Sequence, residues 1–355
     1  MAADHYLPAK PENVVWGWLP TDAKPAVTVK SGETVRIDTI NHQGATQAED
    51  PVTFLGKLGV KPEEVLQDAR DFWASRSTRP RDQGRTGAHI LTGPVAVAGA
   101  EPGDMLEIQI LELSTRVPWG INTASDRSGV FATDYPGSKP GDPGSGVTGA
   151  NLSNLIRTAV VNGREVALFS DSIHIPLAPF MGTMAVAPRS PQVGQPGVTV
   201  AGIQSSKPPG PYGGNMDIKA LVAGTSLFLP VFQPGALFYA GDSHGVQGDG
   251  EVSGNALEQS LSGVFRFVLH KGMTITAPRA ETPTHYIVMG IDQDLDRAMR
   301  MAVLEAVNFL VKEKGLTPAK AFSLCSLAVD FRVSEAVDDT QNVSGYIPKS
   351  LFAGN

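Results

Sequence analysis

The spacing of apolar residues predicts β-strands through most of the first half of the chain. Apolar and polar residues alternate on both sides of Ser31-Gly32, between Val27 and Thr39, which is typical of a hairpin with a tight turn. The segment Met105–Leu113 alternates in the same way, with leucine and isoleucine opposed to glutamate and glutamine. Because successive side chains point to opposite faces of a strand, each strand is expected to bury one face.

In three other segments the apolar residues recur at a spacing of about 3.6 residues, which predicts helices. The first is Pro62–Trp73, with proline in a first-turn position. The longest is Asp292–Gly315, which has acidic residues at its start, lysines near its end and glycine as its stop. A further helix is expected over Thr317–Leu327. Most of the predicted helix therefore lies near the C-terminal end.

One uncharged segment, Ala220–Gly241, is long enough to cross a bilayer as a helix. Pro230 and the turn sequence Gln233-Pro234-Gly235 interrupt it, and a broken helix would leave backbone groups without partners in lipid. We therefore predict two buried strands joined at this turn. No membrane partner is expected.

These patterns predict an α+β fold that is predominantly β, with β-rich sheets or a sandwich and a C-terminal helical block. Strands do not alternate regularly with helices, which disfavours a doubly wound parallel sheet. The proline-rich stretch Pro188–Pro211 suggests two parts. Residues 1–188 would form a β-rich domain with one helix and a Gly/Pro-rich insert at 126–151, and residues 189–355 would carry the other two helices. A single globular unit is the alternative.

Composition narrows the functional classes. The chain has 355 residues, a net charge of −7 and no run of basic residues, so nucleic-acid binding is not expected. The N-terminal segment is too polar for a secretory signal, which indicates a cytoplasmic protein. The single cysteine, Cys325, lies on a predicted helix among apolar residues and is expected to be buried and structural. A multi-cysteine metal site and an intramolecular disulfide are excluded.

Polar residues are densest in Gly241–Glu251, directly after the uncharged segment. Asp242 and His244 are two residues apart, so on an extended backbone they point to the same face, as a pair of metal ligands would. A second cluster, Gly213–Asp217, places an amide and a carboxylate beside glycines. A solvated turn is the alternative interpretation of both segments.

Taken together, these two clusters resemble the signature of the acetamidase/formamidase family. The resemblance is specific because it combines GGNMD with GDSHGVQGDGE in one segment, and it extends over nearly the whole chain. The segments that resemble the family are Ser31–Thr39, His89–Leu113, Pro179–Pro188, Pro211–Glu258, Thr284–Val333 and Ile347–Phe352.

The resemblance implies metal-dependent hydrolysis of short aliphatic amides, such as formamide or acetamide, to carboxylate and ammonia by a metal-activated water. It implies a divalent ion, zinc in the first place with calcium as the alternative, and a cytoplasmic homo-oligomer with a small amide as its substrate. The expected metal ligands are Asp242, His244, Asp217 and His42. For His42, a ligand role and a role in supporting a ligand are both open.

The remaining roles follow from the chemistry that amide hydrolysis requires. Glu251 is the expected general base and acid, and Asn215 is expected to stabilise the oxyanion together with backbone N–H groups. Substrate binding is expected of Gly213, Gly214 and Tyr212, and support of the ligands from behind is expected of His89 and Asp249.

Two alternatives to amide hydrolysis remain at this point. The same residues could hydrolyse another small C–N or ester substrate, such as a lactam or a urea-like compound. The chain could also be a metal-stabilised binding protein without catalytic turnover.

Overall fold

Two large β-sheets pack against each other and share the main apolar core. The computed structural model describes residues 2–78, 87–125, 128–132, 152–193, 195, 197–199 and 202–352. Phe238 of one sheet contacts Phe265 and Phe267 of the other, with ring centroids 6.2 and 5.2 Å apart. All three side chains are fully buried, so an aromatic contact joins the two sheets inside the core.

The larger sheet has nine strands, and all its neighbouring strands are antiparallel except the first two. In spatial order the strands are β1 (His5–Leu7), β5 (Thr34–Asp38), β17 (Leu261–His270), β7 (Met105–Thr115), β15 (Thr225–Pro230), β18 (Arg279–Glu281), β19 (His285–Asp292), β21 (Gln341–Pro348) and β20 (Asp330–Glu335).

The second large sheet has six strands. Five of them are, in spatial order, β14 (Gly213–Asn215), β12 (Phe180–Val186), β16 (Phe238–His244), β6 (Ile90–Val97) and β2 (Val14–Trp16). The sixth, β4 (Val27–Val29), lies parallel to β6. A four-stranded sheet contains β11 (His174–Pro176), β10 (Arg164–Leu168), β9 (Leu152–Val161) and β8 (Trp119–Ala124), and a two-stranded sheet contains β13 (Gln204–Ser205) and β3 (Trp18–Leu19).

Four α-helices occur in the described residues: α1 (Pro51–Lys57), α2 (Gln67–Ser75), α3 (Leu295–Lys314) and α4 (Pro318–Ala328). α3 packs on β19 and β21, and α4 packs on α3 and β21. At Gly290 of β19, a Cβ added to the glycine would lie 2.9 Å from Cα of Ala302 in α3. None of these helices has both the length and the apolar composition needed to cross a bilayer.

The predicted α+β, predominantly β fold is confirmed, with a sandwich of two sheets and a C-terminal helical pair. The alternating segment forms β7, and the uncharged segment forms the two strands β15 and β16. α3 begins after the capping residue Asp294 and ends at Gly315, whose φ is 67°. Cys325 is buried. Both large sheets take strands from before and after residue 188.

Two local predictions are wrong. The predicted hairpin does not form, because β4 pairs with β6 and β5 pairs with β17 in the other sheet. The helix predicted from Pro62 is a single 3-10 turn, Pro62–Glu64, followed by α2 from Gln67. α1 was not predicted. Of the insert at 126–151, residues 128–132 are described, and the rest lie outside the described residues.

Candidate active site

A cavity of about 470 Å³ lies beside the polar cluster Gly241–Glu251. Its walls come from the loop after β5, the segment before β6, β13 with the segments on either side of it, β16 with the segment after it, and the β20–β21 loop. Its lining residues are His42, Gly87, Ala88, His89, Gly197, Ser205, Lys207, Pro208, Asp242, Glu251, Gly254, Asn255, Glu258, Asp338 and Asp339.

A first group of ligand-type side chains in this cavity consists of His42, Asp242 and Glu258, whose ligand atoms lie within 4.8 Å of one another. Nδ1 of His42 is 3.7 Å from Oδ1 of Asp242 and 3.7 Å from Oε2 of Glu258. Within the described part of the chain, neither Nδ1 of His42 nor Oδ1 of Asp242 has a hydrogen-bond partner. Buried polar atoms rarely lack hydrogen-bond partners, and a bound cation would satisfy these two atoms. Imidazole and carboxylate are also groups that bind divalent cations, so this group is a candidate cation site.

His89 approaches this group from the other side of Asp242. Its Nδ1 lies 3.1 Å from the backbone oxygen and 3.1 Å from Oγ of Ser206, and its Nε2 is 3.8 Å from Oδ2 of Asp242. If Nδ1 donates its proton to the Ser206 carbonyl, Nε2 carries the lone pair. The contact with Ser206 thereby orients the imidazole with Nε2 toward the carboxylate of Asp242.

A second group consists of Asp217, His244 and Glu251, whose ligand atoms also lie within 4.8 Å of one another. His244 is fully buried and connects the two groups. Its Nδ1 is 3.6 Å from Oδ1 of Asp217, while its Nε2 is 3.3 Å from Oε1 of Glu258 and 3.5 Å from Oδ2 of Asp242. The two groups therefore form one continuous set of acids and imidazoles.

Burial shifts the pKa values of these residues. Burial and the interaction with Asp217 hold the pKa of Glu251 well above its usual value. Burial opposes the charge of His244, but the carboxylates of Glu258 and Asp242 outweigh this effect and raise its pKa. The protonated form of Glu251 is therefore favoured relative to that of an exposed glutamate.

Three of the acids are held in an uncommon backbone conformation. Asp217, Asp242 and Glu251 have φ values of 48°, 48° and 45°, in the left-handed region that residues with a side chain seldom occupy. Such strain persists only where the surrounding structure fixes it, and it concentrates at functional sites.

Residues 81–192 and 140–354 match the model of the Acetamidase/Formamidase family. The chain belongs to the acetamidase/formamidase family. The resemblance that the sequence motifs indicate is therefore confirmed.

Similar proteins include formamidases and an acetamidase. A putative formamidase of Schizosaccharomyces pombe is 30% identical over 272 residues, which are 66% of this chain and 58% of that protein. The formamidase of Methylophilus methylotrophus is 27% identical over 323 residues, 77% of this chain and 79% of that protein. The crystal structure of an acetamidase from Bacillus halodurans has a TM-score of 0.74 at 25% identity, with 98% of both chains covered.

In this family member, the residues expected to bind the oxyanion or the substrate lie behind the cavity. Asn215 is fully buried, accepts a hydrogen bond from Thr183 at 2.6 Å, and donates to Asp217 at 2.9 Å and to Asp338. Its amide therefore holds two carboxylates in place. None of its atoms lines the cavity.

The neighbouring backbone is similarly engaged. The N–H of Gly213 donates to the carbonyl of Gly210 at 3.0 Å, and Gly214 lies in β14, which pairs with β12. The hydroxyl of Tyr212 donates to the Pro208 carbonyl at 3.0 Å. These three residues form the layer beneath the acids and do not line the cavity.

The structure places Asp249 away from this cavity. It is exposed and forms an ion pair with Lys219 at 2.9 Å. Three acids that line the cavity were not identified from the sequence: Glu258, Asp338 and Asp339. None of the three lies in a motif that would have marked it as a site residue.

Proposed function

We propose that this chain hydrolyses short aliphatic amides to carboxylate and ammonia with the help of a divalent ion. The observation that carries the proposal is the convergence of His42, Asp242, Glu258 and Glu251 on one cavity of a family member. The amide-hydrolysing activity is that of the named relatives. We also propose, on the resemblance to the family, a cytoplasmic homo-oligomer.

The residues of the first group fit a divalent ion. Burial lowers the pKa of His42, so its imidazole is neutral at pH 7 and carries a lone pair. His42, Asp242 and Glu258 would hold the ion, with Nε2 of His89 as a further donor. Mixed imidazole and carboxylate donors suit zinc, whereas calcium prefers oxygen donors alone. A bound divalent ion polarises an amide carbonyl and makes water a stronger acid.

His244 and Asp217, which the sequence suggested as ligands, have a supporting role in this proposal. They lie behind the cavity lining, and His244 contacts both Asp242 and Glu258. His89 and His244 lower the pKa of Asp242, and His244 lowers the pKa of Glu258, in each case against the effect of burial. Both carboxylates are thereby kept available as ligands.

Glu251 supplies the proton that the leaving nitrogen needs. An amide nitrogen is a poor leaving group until it is protonated, so a positioned acid accelerates C–N cleavage. Glu251 lines the cavity, and burial together with Asp217 raises the pKa of its carboxyl well above the usual value. A carboxylate with a raised pKa is a stronger base, so it accepts the proton of the attacking water and then donates this proton to the leaving nitrogen within the same cycle.

The cavity lining favours a short acyl chain. Among the described residues that line it, only Ala88 and Pro208 are apolar apart from glycines. A long acyl chain would therefore bury little apolar surface there and gain little binding free energy.

Ammonia release from formamide, acetamide and propionamide tests the proposal. The metal-loaded protein is expected to release ammonia, and Glu251→Gln is expected to lose about 10²- to 10⁴-fold in kcat with its metal content unchanged. Glu313→Gln, an exposed carboxylate of α3, serves as the matched control and should keep full activity.

Absence of ammonia from all three amides would remove the aliphatic amidase proposal. In that case a panel of lactams, urea-like compounds and esters separates another hydrolase from a binding protein without turnover.

A further inference from the structure

The β20–β21 loop holds one carboxylate, Asp338, at the cavity wall. Oε1 of Glu335 accepts hydrogen bonds from the N–H groups of Val337 at 2.9 Å and Asp338 at 2.6 Å. The loop is also joined to the segment after β16, because the N–H of Ala336 donates to the carbonyl of Gly250 at 3.2 Å. The backbone that leads to Asp338 is therefore fixed by hydrogen bonds to Glu335 and to Gly250.

The carboxylate of Asp338 is fixed as well. Its Oδ2 accepts a hydrogen bond from Nδ2 of Asn215, whose own Oδ1 accepts one from Thr183. Its Oδ1 receives no hydrogen bond from any residue that the structure describes, and the side chain lines the cavity. Asp338 thus presents one oriented acceptor atom to whatever fills the cavity.

The substrate of the proposed reaction offers the matching donors. A primary amide carries two N–H bonds, and a site that leaves them without acceptors binds the amide weakly. Glu251 is the proposed proton donor, whereas Asp242 and Glu258 belong to the proposed cation site and Asp339 pairs with Lys207 at 2.9 Å. Among the described residues of the lining, Asp338 is the carboxylate left to accept from the nitrogen.

We propose that Asp338 accepts a hydrogen bond from the amino group of the substrate and thereby selects amides over esters. This rests on the proposed amide hydrolysis and adds a specificity residue to it. Burial raises the pKa of Asp338 to about 6, and this leaves the carboxylate mainly ionised above pH 7, as an acceptor must be.

Asp338→Asn tests this role with little change in shape. The carbonyl oxygen of the new amide can still accept from Asn215, while the atom facing the cavity becomes a donor. The specificity constant for acetamide is expected to fall about 10- to 100-fold, because a donor would face the N–H groups of the substrate. Methyl acetate, which has no N–H, should lose less than about threefold, so the ratio of the two constants changes.

Asp330→Asn is the matched control on the neighbouring strand β20. Its carboxylate is 77% exposed, lies 3.8 Å from Arg332 and does not line the cavity, so the amide-to-ester ratio should stay at the wild-type value. Thermal unfolding of both variants verifies that they are folded. If methyl acetate turns over too slowly, its inhibition constant against acetamide hydrolysis gives the same comparison.

The outcomes separate this inference from the proposed function. A wild-type protein that releases no ammonia from acetamide removes the proposed function itself. An active wild type in which Asp338→Asn loses acetamide and methyl acetate to the same degree overturns the role of Asp338 alone. A purely structural role of the loop predicts that second result.

Discussion

At the scale of single residues, the candidate site depends on a glycine that leaves room for the acids. Gly182, in β12, lies directly beneath the two groups. A Cβ added there would contact Oδ1 of Asp217 and would lie 2.8 Å from both Cε1 of His244 and the carbonyl oxygen of Asp242. These neighbours are buried and held by strained or hydrogen-bonded backbone, so they have little freedom to move.

Gly182→Ala is therefore expected to distort the site. We predict a loss of at least about tenfold in kcat/KM for acetamide and a fall of about 1–3 kcal/mol in the free energy of unfolding. Urea unfolding and ammonia assays measure both. Gly56→Ala in α1, where an added Cβ meets nothing within 4 Å, should leave activity and stability nearly unchanged or raise stability slightly. Wild-type activity and stability in Gly182→Ala would refute this account of the site.

The sequence identified the cavity residues that lie in recognisable motifs. Asp242 and Glu251 stand in one Gly-rich segment, and the resemblance to the family added His42 and His89. Glu258 was not predicted because an isolated backbone β-bridge to His244 brings it to the site, and no local sequence motif indicates that pairing. The hydrogen bond from the Asn215 amide to Asp338 could not be predicted either, since the two residues are 123 positions apart in sequence.

At the scale of elements, local sequence signals predicted where helices begin and end better than they predicted which strands pair. Capping residues located α3 and α4 to within a few residues, because caps act through neighbouring backbone groups. The alternation around Ser31-Gly32 correctly predicted two strands, but the prediction that they pair with each other was wrong. Alternation shows which face of a strand is buried, but it does not show which strand lies next to it. α1 is only seven residues long, although Asp50 and Pro51 were a usable start signal.

Asp104 joins two elements of the larger sheet, and its substitution tests that link. Its buried carboxylate accepts from the N–H groups of Glu101 at 2.9 Å and Gly272 at 2.8 Å and from Lys271 at 2.7 Å. The turn before β7 is thereby held to the turn after β17. Asp104→Asn is expected to lower the free energy of unfolding at pH 7 by about 1–2 kcal/mol.

This difference should depend on pH. Burial acts to raise the pKa of Asp104, but the hydrogen bonds from Lys271, Gly272 and Glu101 outweigh it and hold the pKa below its usual value. A depressed folded pKa stabilises the protein above the unfolded value of about 3.9, and the contribution is lost as the pH falls below it. Urea unfolding at pH 7 and near pH 3 should show the gap between wild type and variant closing, whereas Asp171→Asn, an exposed control, should show none. A gap that widens in acid would contradict the assignment.

At the scale of the whole molecule, the candidate site forms where distant parts of the chain meet. Thr39 donates to Ser243 at 2.8 Å and Asn41 donates to Glu258 at 2.8 Å, which joins the loop after β5 to segments more than 200 residues away in sequence. Because both large sheets contain strands from either side of residue 188, we propose that residues 1–188 and 189–355 fold as one unit. Contacts of such long range explain why the sequence alone could not supply the geometry of the site.

The central claim is that this cavity hydrolyses linear amides with a bound divalent ion. The most direct test is ammonia release from formamide by protein freed of metal by chelation, with elemental analysis of the same sample. We predict that the metal-free protein releases no ammonia above background and that added zinc restores the activity. Full activity in protein that elemental analysis shows to be free of metal would contradict the claim.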